Sequence, residues 1–277
     1  MDWNWLFGLI YGTIGGFFEF LPVSPLLHQK VLLKLTGLDA PGYGMSLAVH
    51  LGAFVAVLLS YYSSITKMNR ERKIAGQSKR SRKRQPDVVS LMQLQLLKVA
   101  AIPLILSCLF SPWLSSRFDR LWLMALFAIL CGVVVMLPHY MAQANKDARS
   151  LSPLDATLIG FSGILGALPG FSKVGTMTAV ASMRGAERRF SLDFAYLLLI
   201  PALAALCVGD LAMIVIAGDP QAGALFIPGV LACLASCGMG FVSIRLMQFL
   251  AVKVGYESLT YYNWGLAMFT FVIYLIG

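Results

Sequence analysis

Two stretches place prolines, glycines and ionisable side chains inside apolar surroundings, and they restrict the fold more than any other feature. The first, residues 15–28, reads Gly-Gly-Phe-Phe-Glu-Phe-Leu-Pro-Val-Ser-Pro-Leu-Leu-His. It carries a carboxylate (Glu19), a hydroxyl (Ser24), an imidazole (His28) and two prolines, Pro22 and Pro25. Proline removes a helix donor, and a broken backbone at membrane depth is tolerated only where protein or a cavity covers it. An ionisable group there costs roughly 2.5–3.5 kcal/mol or more, which makes it a functional-site candidate. The second stretch, 160–178, is glycine-rich and leads into Pro169-Gly170-Phe171-Ser172-Lys173-Val174-Gly175-Thr176-Met177-Thr178. A Pro-Gly turn followed by hydroxyls, one cation and backbone N–H groups at the start of a half-helix reads as an anion site. The G-x-x-x-x-G-K spacing of soluble phosphate loops is absent.

The rest of the chain says what those surroundings are. Hydrophobic residues make up 58% of it, charged residues 13%, and mean hydropathy is +0.75. That is an integral membrane protein with no room for a soluble domain. The N-terminus lacks a basic n-region and reads as mature sequence, with Trp3 and Trp5 suited to an interface. Five cysteines fall in apolar runs without a C-x-x-C pair and read as packing residues, so no metal ligands are expected.

Spans of about 20 residues are expected at 43–62, 89–110, 121–141, 190–208, 222–244 and 258–276. Each interrupted segment, about 3–35 and about 154–184, thus precedes three spans. If each dips in and returns, the second set must run opposite to the first. The expected fold is all-α, with six transmembrane helices and two re-entrant helix-turn-helix segments in an inverted-topology repeat. It is one membrane domain, 1–277, with repeats at 1–150 and 151–277.

Charge sets the orientation. Residues 67–87 hold nine Lys or Arg and two acids, a balance of +7. This loop is expected in the cytoplasm and the C-terminus outside, with segments 139–150, 184–189 and 245–253 also inside. Segment 210–221, with two Asp and no Lys or Arg, falls outside; segment 111–120, with Arg117 and Arg120, runs against the rule. No aromatic residue interleaves the basic run 67–84, so nucleic acid is not an expected partner.

Glu-Phe-Leu-Pro-Val-Ser at 19–24 with His28, and Pro-Gly-Phe-Ser at 169–172, resemble the two signature motifs of the bacterial undecaprenyl-pyrophosphate phosphatase (bacitracin-resistance) family. Leu51-Gly52-Ala53 and the run 185–201 match it further. The resemblance covers nearly the whole chain. It implies six spans with two re-entrant loops in the bacterial plasma membrane. It also implies removal of one phosphate from undecaprenyl pyrophosphate, regenerating the lipid carrier of cell-wall synthesis. The family has also been proposed to move the lipid phosphate across the bilayer.

The departures bear on the chemistry. Gly15 stands where the family has an acidic or amide residue, Pro25 where it has a second serine, Lys173 for arginine, Val174 for serine, Met177 for threonine and His50 for glutamine. Glu19 and His28 remain the candidate base and acid. Ser24, Ser172, Lys173, Gly175, Thr176 and His50 are the candidate phosphate-binding residues. His50 reads either as a cavity residue or as a packed neutral imidazole. Lys173 keeps a positive charge without the bidentate fork of arginine. Mg²⁺ or Ca²⁺ is the expected cofactor if the site is catalytic, although a missing second carboxylate weakens such binding. Two functions stay open: a phosphatase, or a paralogue that binds or translocates lipid phosphate without cleaving it. The expected partners are a polyprenyl (di)phosphate lipid and the bilayer, with a homodimer left open.

Overall fold

The computed structural model describes residues 4–78, 84–141, 145–217, 226–253 and 255–276. Trp3, the centre of the basic loop and residues 218–225 lie outside them. Among the described residues the regular structure is helical, apart from an isolated bridge between Lys146 and Ala186.

Both interrupted segments break where the prolines and glycines indicate. Helices α1 (Trp5–Glu19) and α2 (Pro25–Thr36) flank the first break, and α7 (Pro153–Ser162) and α8 (Lys173–Met183) the second. Pro25 occupies the first position of α2, where its missing N–H is not needed, and Ser24 is the N-cap. Ser172 caps α8 in the same way.

The remaining helices are α3 (Gly42–Ser60), α4 (Tyr62–Ala75), α5 (Val88–Arg117), α6 (Leu121–Met136), α9 (Arg188–Ala217), α10 (Phe226–Lys253) and α11 (Leu259–Ile276). Among the described residues six helical stretches are long and apolar enough to cross a membrane: Gly42–Ser60, Val88–Arg117, Leu121–Tyr140, Arg188–Ala217, Phe226–Ala251 and Tyr256–Ile276. This is an all-α, multi-pass membrane protein.

Several spans run beyond their expected ends. α5 absorbs most of the expected loop 111–120, α9 continues past 208 to enclose Asp210, and α10 takes in 245–253. Hydropathy alone stops a span at its first polar cluster. The helix continues because those polar groups have neighbours. Arg117 lies 5.5 Å over the Trp113 ring and Arg245 5.1 Å over Phe241. Asp210 meets His50.

Packing pairs the two halves off. α1 lies along α10 and α7 along α5, while α3 packs on α10 and α9 on α5. α3 also meets α9, and α6 meets α11. Close approach of α1 to α10 depends on Gly12, where a Cβ would sit 2.2 Å from the Ala232 carbonyl oxygen.

The basic segment begins as helix α4 and is clamped at its far side. Buried Glu71 accepts from Arg84 at 2.5 Å and from the Asp87 N–H at 3.0 Å. Lys67 lies 2.9 Å from Asp87. Arg84 holds the Glu71 carboxyl below its usual range, and Lys67, helped by Ser90, pulls Asp87 down to about 2.

Candidate functional site

The backbone between α1 and α2 leaves carbonyl groups that no helix satisfies, and the rest of the protein supplies donors to them. Phe20 accepts from the Tyr196 hydroxyl (2.8 Å), Leu21 from Ser172 Oγ (2.8 Å) and Pro22 from Asn263 Nδ2 (2.8 Å). In return, the Gly170 N–H at the second break donates to Ser24 Oγ at 3.1 Å. Each capping serine thus bonds to the backbone of the opposite break. Unpaired backbone groups cost several kcal/mol in a bilayer, so these bonds are what allow two breaks to sit side by side.

The crossing brings the end of α1 against the start of α8. Glu19 Oε1 lies 3.2 Å from Lys173 Nζ, with the side chains 4% and 9% exposed. The contact is close, yet Glu19 Oε1 has no well-directed hydrogen bond, so it keeps capacity for another donor. Lys173 is therefore not a lone cation.

Beside this pair is a cavity of about 100 Å³, the room of about three waters at about 30 Å³ each. Glu19, Ser24, His50, Lys173 and Asp210 all line it. Ser24 Oγ accepts from both Leu27 N–H and Gly170 N–H, which leaves its own proton for a ligand oxygen. His50 Nδ1 lies 2.6 Å from Asp210 Oδ2, and Asp210 is 2% exposed. His50 therefore faces the cavity.

Four candidates do not reach the cavity wall. His28 Nδ1 donates to the Ser24 carbonyl at 2.6 Å, which leaves Nε2 to pair with the Tyr262 hydroxyl at 2.8 Å. Its ring stacks on Phe18 at 3.5 Å and faces a separate apolar groove with Leu266 and Phe269. Ser172 Oγ donates to Leu21 and accepts from the Gly175 N–H at 3.0 Å. Thr176 Oγ1 donates back to the Ser172 carbonyl at 2.9 Å. Ser172, Gly175 and Thr176 thus shape the start of α8, and one N–H expected to face an anion is capped instead.

Asp210 was the residue missed by the sequence reading, which placed it at the start of an outside loop. Its signal was available: Leu206-Cys207-Val208-Gly209-Asp210-Leu211-Ala212 is a lone carboxylate in an apolar run, as Glu19 is. At Gly15, a Cβ would meet Val49 Cγ1 at 2.4 Å and Gln29 Nε2 at 2.6 Å. The side of the cavity where the family pattern places an acidic or amide side chain is thus filled by Gln29. The cavity still has a second carboxylate, contributed by α9. Among the described residues no three His, Cys, Asp or Glu side chains gather as a metal cluster. Glu19 faces Lys173 and Asp210 faces His50, so the donors do not fit a divalent ion held by protein ligands alone.

Comparison with known proteins finds relatives along nearly the whole chain. A relative from Nocardioides sp., named undecaprenyl-diphosphatase, is 25% identical over 99% of this chain and 98% of its own. One from Bacillus licheniformis, undecaprenyl-diphosphatase 1, is 27% identical over 95% and 96%. One from Cutibacterium acnes, undecaprenyl-diphosphatase, is 28% identical over 90% and 89%. The family profile described as bacitracin resistance protein BacA matches residues 8–269, and the chain belongs to that family.

Proposed function

We propose that this protein dephosphorylates undecaprenyl pyrophosphate to undecaprenyl phosphate, recycling the lipid carrier, with Glu19 and Lys173 at the reacting centre. The observation that carries the reading is the buried Glu19–Lys173 contact, formed where the two broken segments cross and opening on a polar cavity. Lys173 neutralises phosphate oxygens as charge develops on them, and Ser24 donates to one oxygen. Glu19 takes the proton of the attacking water. A Mg²⁺ or Ca²⁺ ion in this site would be held chiefly by the substrate's own phosphates. The test is phosphate release from undecaprenyl pyrophosphate by purified protein, with and without chelator. Release that is abolished in Glu19→Gln while lipid binding persists is the expected result.

A second reading, binding or translocation of lipid phosphate without cleavage, is favoured by His28 being turned to Tyr262 and away from the cavity. Absence of hydrolysis together with Lys173-dependent binding would establish it instead.

We read the two halves as an inverted repeat with re-entrant α1–α2 and α7–α8. Supporting this, α1 packs on α10 as α7 packs on α5. The basic segment 67–87 is placed in the cytoplasm and the C-terminus outside. Labelling of a cysteine at Gln77 in intact cells by an impermeant reagent would reverse that assignment.

A further inference from the structure

We propose that His50 and Asp210 form the second acid–base pair of the cavity, with His50 as the catalytic acid and Asp210 as its positioning residue. The inference rests on the phosphatase reading above. Hydrolysis with two proton transfers needs a second group besides Glu19, and His28 does not line the cavity. His50 does, from the middle of α3, and a buried carboxylate on α9 holds its Nδ1 at 2.6 Å. With Nδ1 so engaged, Nε2 is the nitrogen left to act on a ligand. An imidazole fixed at one nitrogen by a carboxylate and free at the other is the arrangement that carries protons in hydrolytic sites on unrelated folds. Asp210 has a reason of its own to keep the ring charged, because a carboxylate at this depth needs a cationic or hydrogen-bonding partner.

The water oxygen forms a bond to the terminal phosphorus as the bridging P–O bond breaks, its electron pair passing to the oxygen kept by the lipid phosphate. The water's proton goes to Glu19, and His50 Nε2–H supplies a proton to the leaving oxygen. Inorganic phosphate and undecaprenyl phosphate result, and exchange with solvent restores both residues.

The charged and titratable groups around the pair are Glu19 and Tyr11 from α1, Tyr43 from α3, Lys173 from α8 and Cys207 from α9. Of these, only Lys173 is a cation. Replacing Asp210 therefore removes the imidazolium's direct partner and leaves Glu19 as the carboxylate still on the cavity.

The test is the pH profile of kcat/KM for undecaprenyl pyrophosphate in detergent, with binding of undecaprenyl phosphate measured in parallel. His50→Gln should lose about 10²-fold or more in kcat/KM, the lower end of acid–base contributions, and lose the alkaline limb of the profile. Asp210→Asn should lose less and move that limb to lower pH, since the imidazolium gives up its proton sooner. His139→Gln, at the exposed end of another span, should change neither. Loss of binding in step with rate, or an Asp210→Asn limb at its original pH, would overturn the assignment. So would a His50→Gln enzyme with wild-type rate and profile, and in that case the phosphatase reading would stand. An unmodified protein that binds lipid phosphate and releases none would overturn both.

Discussion

The Glu19–Lys173 contact can be tested as a thermodynamic unit. At 3.2 Å and an effective dielectric of about 20, the attraction between the two unit charges is roughly 5 kcal/mol. Desolvating both charges cancels much of that gain, so the pair itself adds little net stability. Removing one partner is different. Lys173→Ala leaves Glu19, 5% exposed, without its cation, and breaking a buried pair in this way costs about 3–5 kcal/mol. Glu19→Gln strands an ammonium in the same place. The double variant strands neither, so it should be less destabilised than the sum of the singles by about 2–3 kcal/mol. The measurement is unfolding by SDS titration in mixed micelles of the wild type, both singles and the double. Additive effects, or a loss below about 1 kcal/mol in Lys173→Ala, would show that the two charges are independently solvated and refute the picture of a coupled buried pair.

Three further outcomes are expected. Ser24→Ala and Ser172→Ala each remove a helix cap and a bond to the opposite break, and should cost about 1–2 kcal/mol apiece in the same titration, against a few tenths for an exposed serine such as Ser63. Gly15→Glu, which adds the carboxylate suggested by the family pattern, should destabilise by about 1–3 kcal/mol because Val49 and Gln29 occupy the space, and should not raise phosphate release. Asp87 titrates lower in the folded protein, at about 2, than unfolded, so its contribution is complete above about pH 4 and is lost as pH falls through about 2. Cleavage near residues 67–90 by an acid-active protease should therefore rise between pH 4 and pH 2, and Asp87→Asn should be cut readily at both.

What the sequence made legible were features with a local chemical cause. Pro22, Pro25 and the Pro169-Gly170 turn break their helices where expected, whereas Ser24 and Ser172, expected to bind phosphate, cap the helices that follow, and of the two only Ser24 also lines the cavity. Glu19 stands out as an ionisable group in an apolar run and Lys173 as the cation of an anion site, and the structure makes each the other's partner. Side-chain direction was not legible in the same way. His28 was grouped with Glu19 on motif membership, but a helical residue's facing depends on which helix it packs against, here α11 through Tyr262. Asp210 was lost for a related reason. Hydropathy ended the span before it, whereas the helix continues because His50 is waiting across the interface.

The same crossing that satisfies the breaks also limits what can bind there. The cavity takes its carboxylates, ammonium and imidazole from α1, α3, α8 and α9, which belong to both halves of the chain, so neither half forms it alone. Both of its carboxylates already face a basic group, Glu19 facing Lys173 and Asp210 facing His50. An arriving phosphate therefore gains a cation only by drawing Lys173 away from Glu19, and ground-state binding is opposed by the charge it displaces. A transition state that spreads more charge over its equatorial oxygens, while a water proton neutralises Glu19, reverses that opposition. Under this arrangement inorganic phosphate should bind weakly. An analogue of the transferring phosphoryl group, such as vanadate, should bind more tightly by a margin that Glu19→Gln narrows.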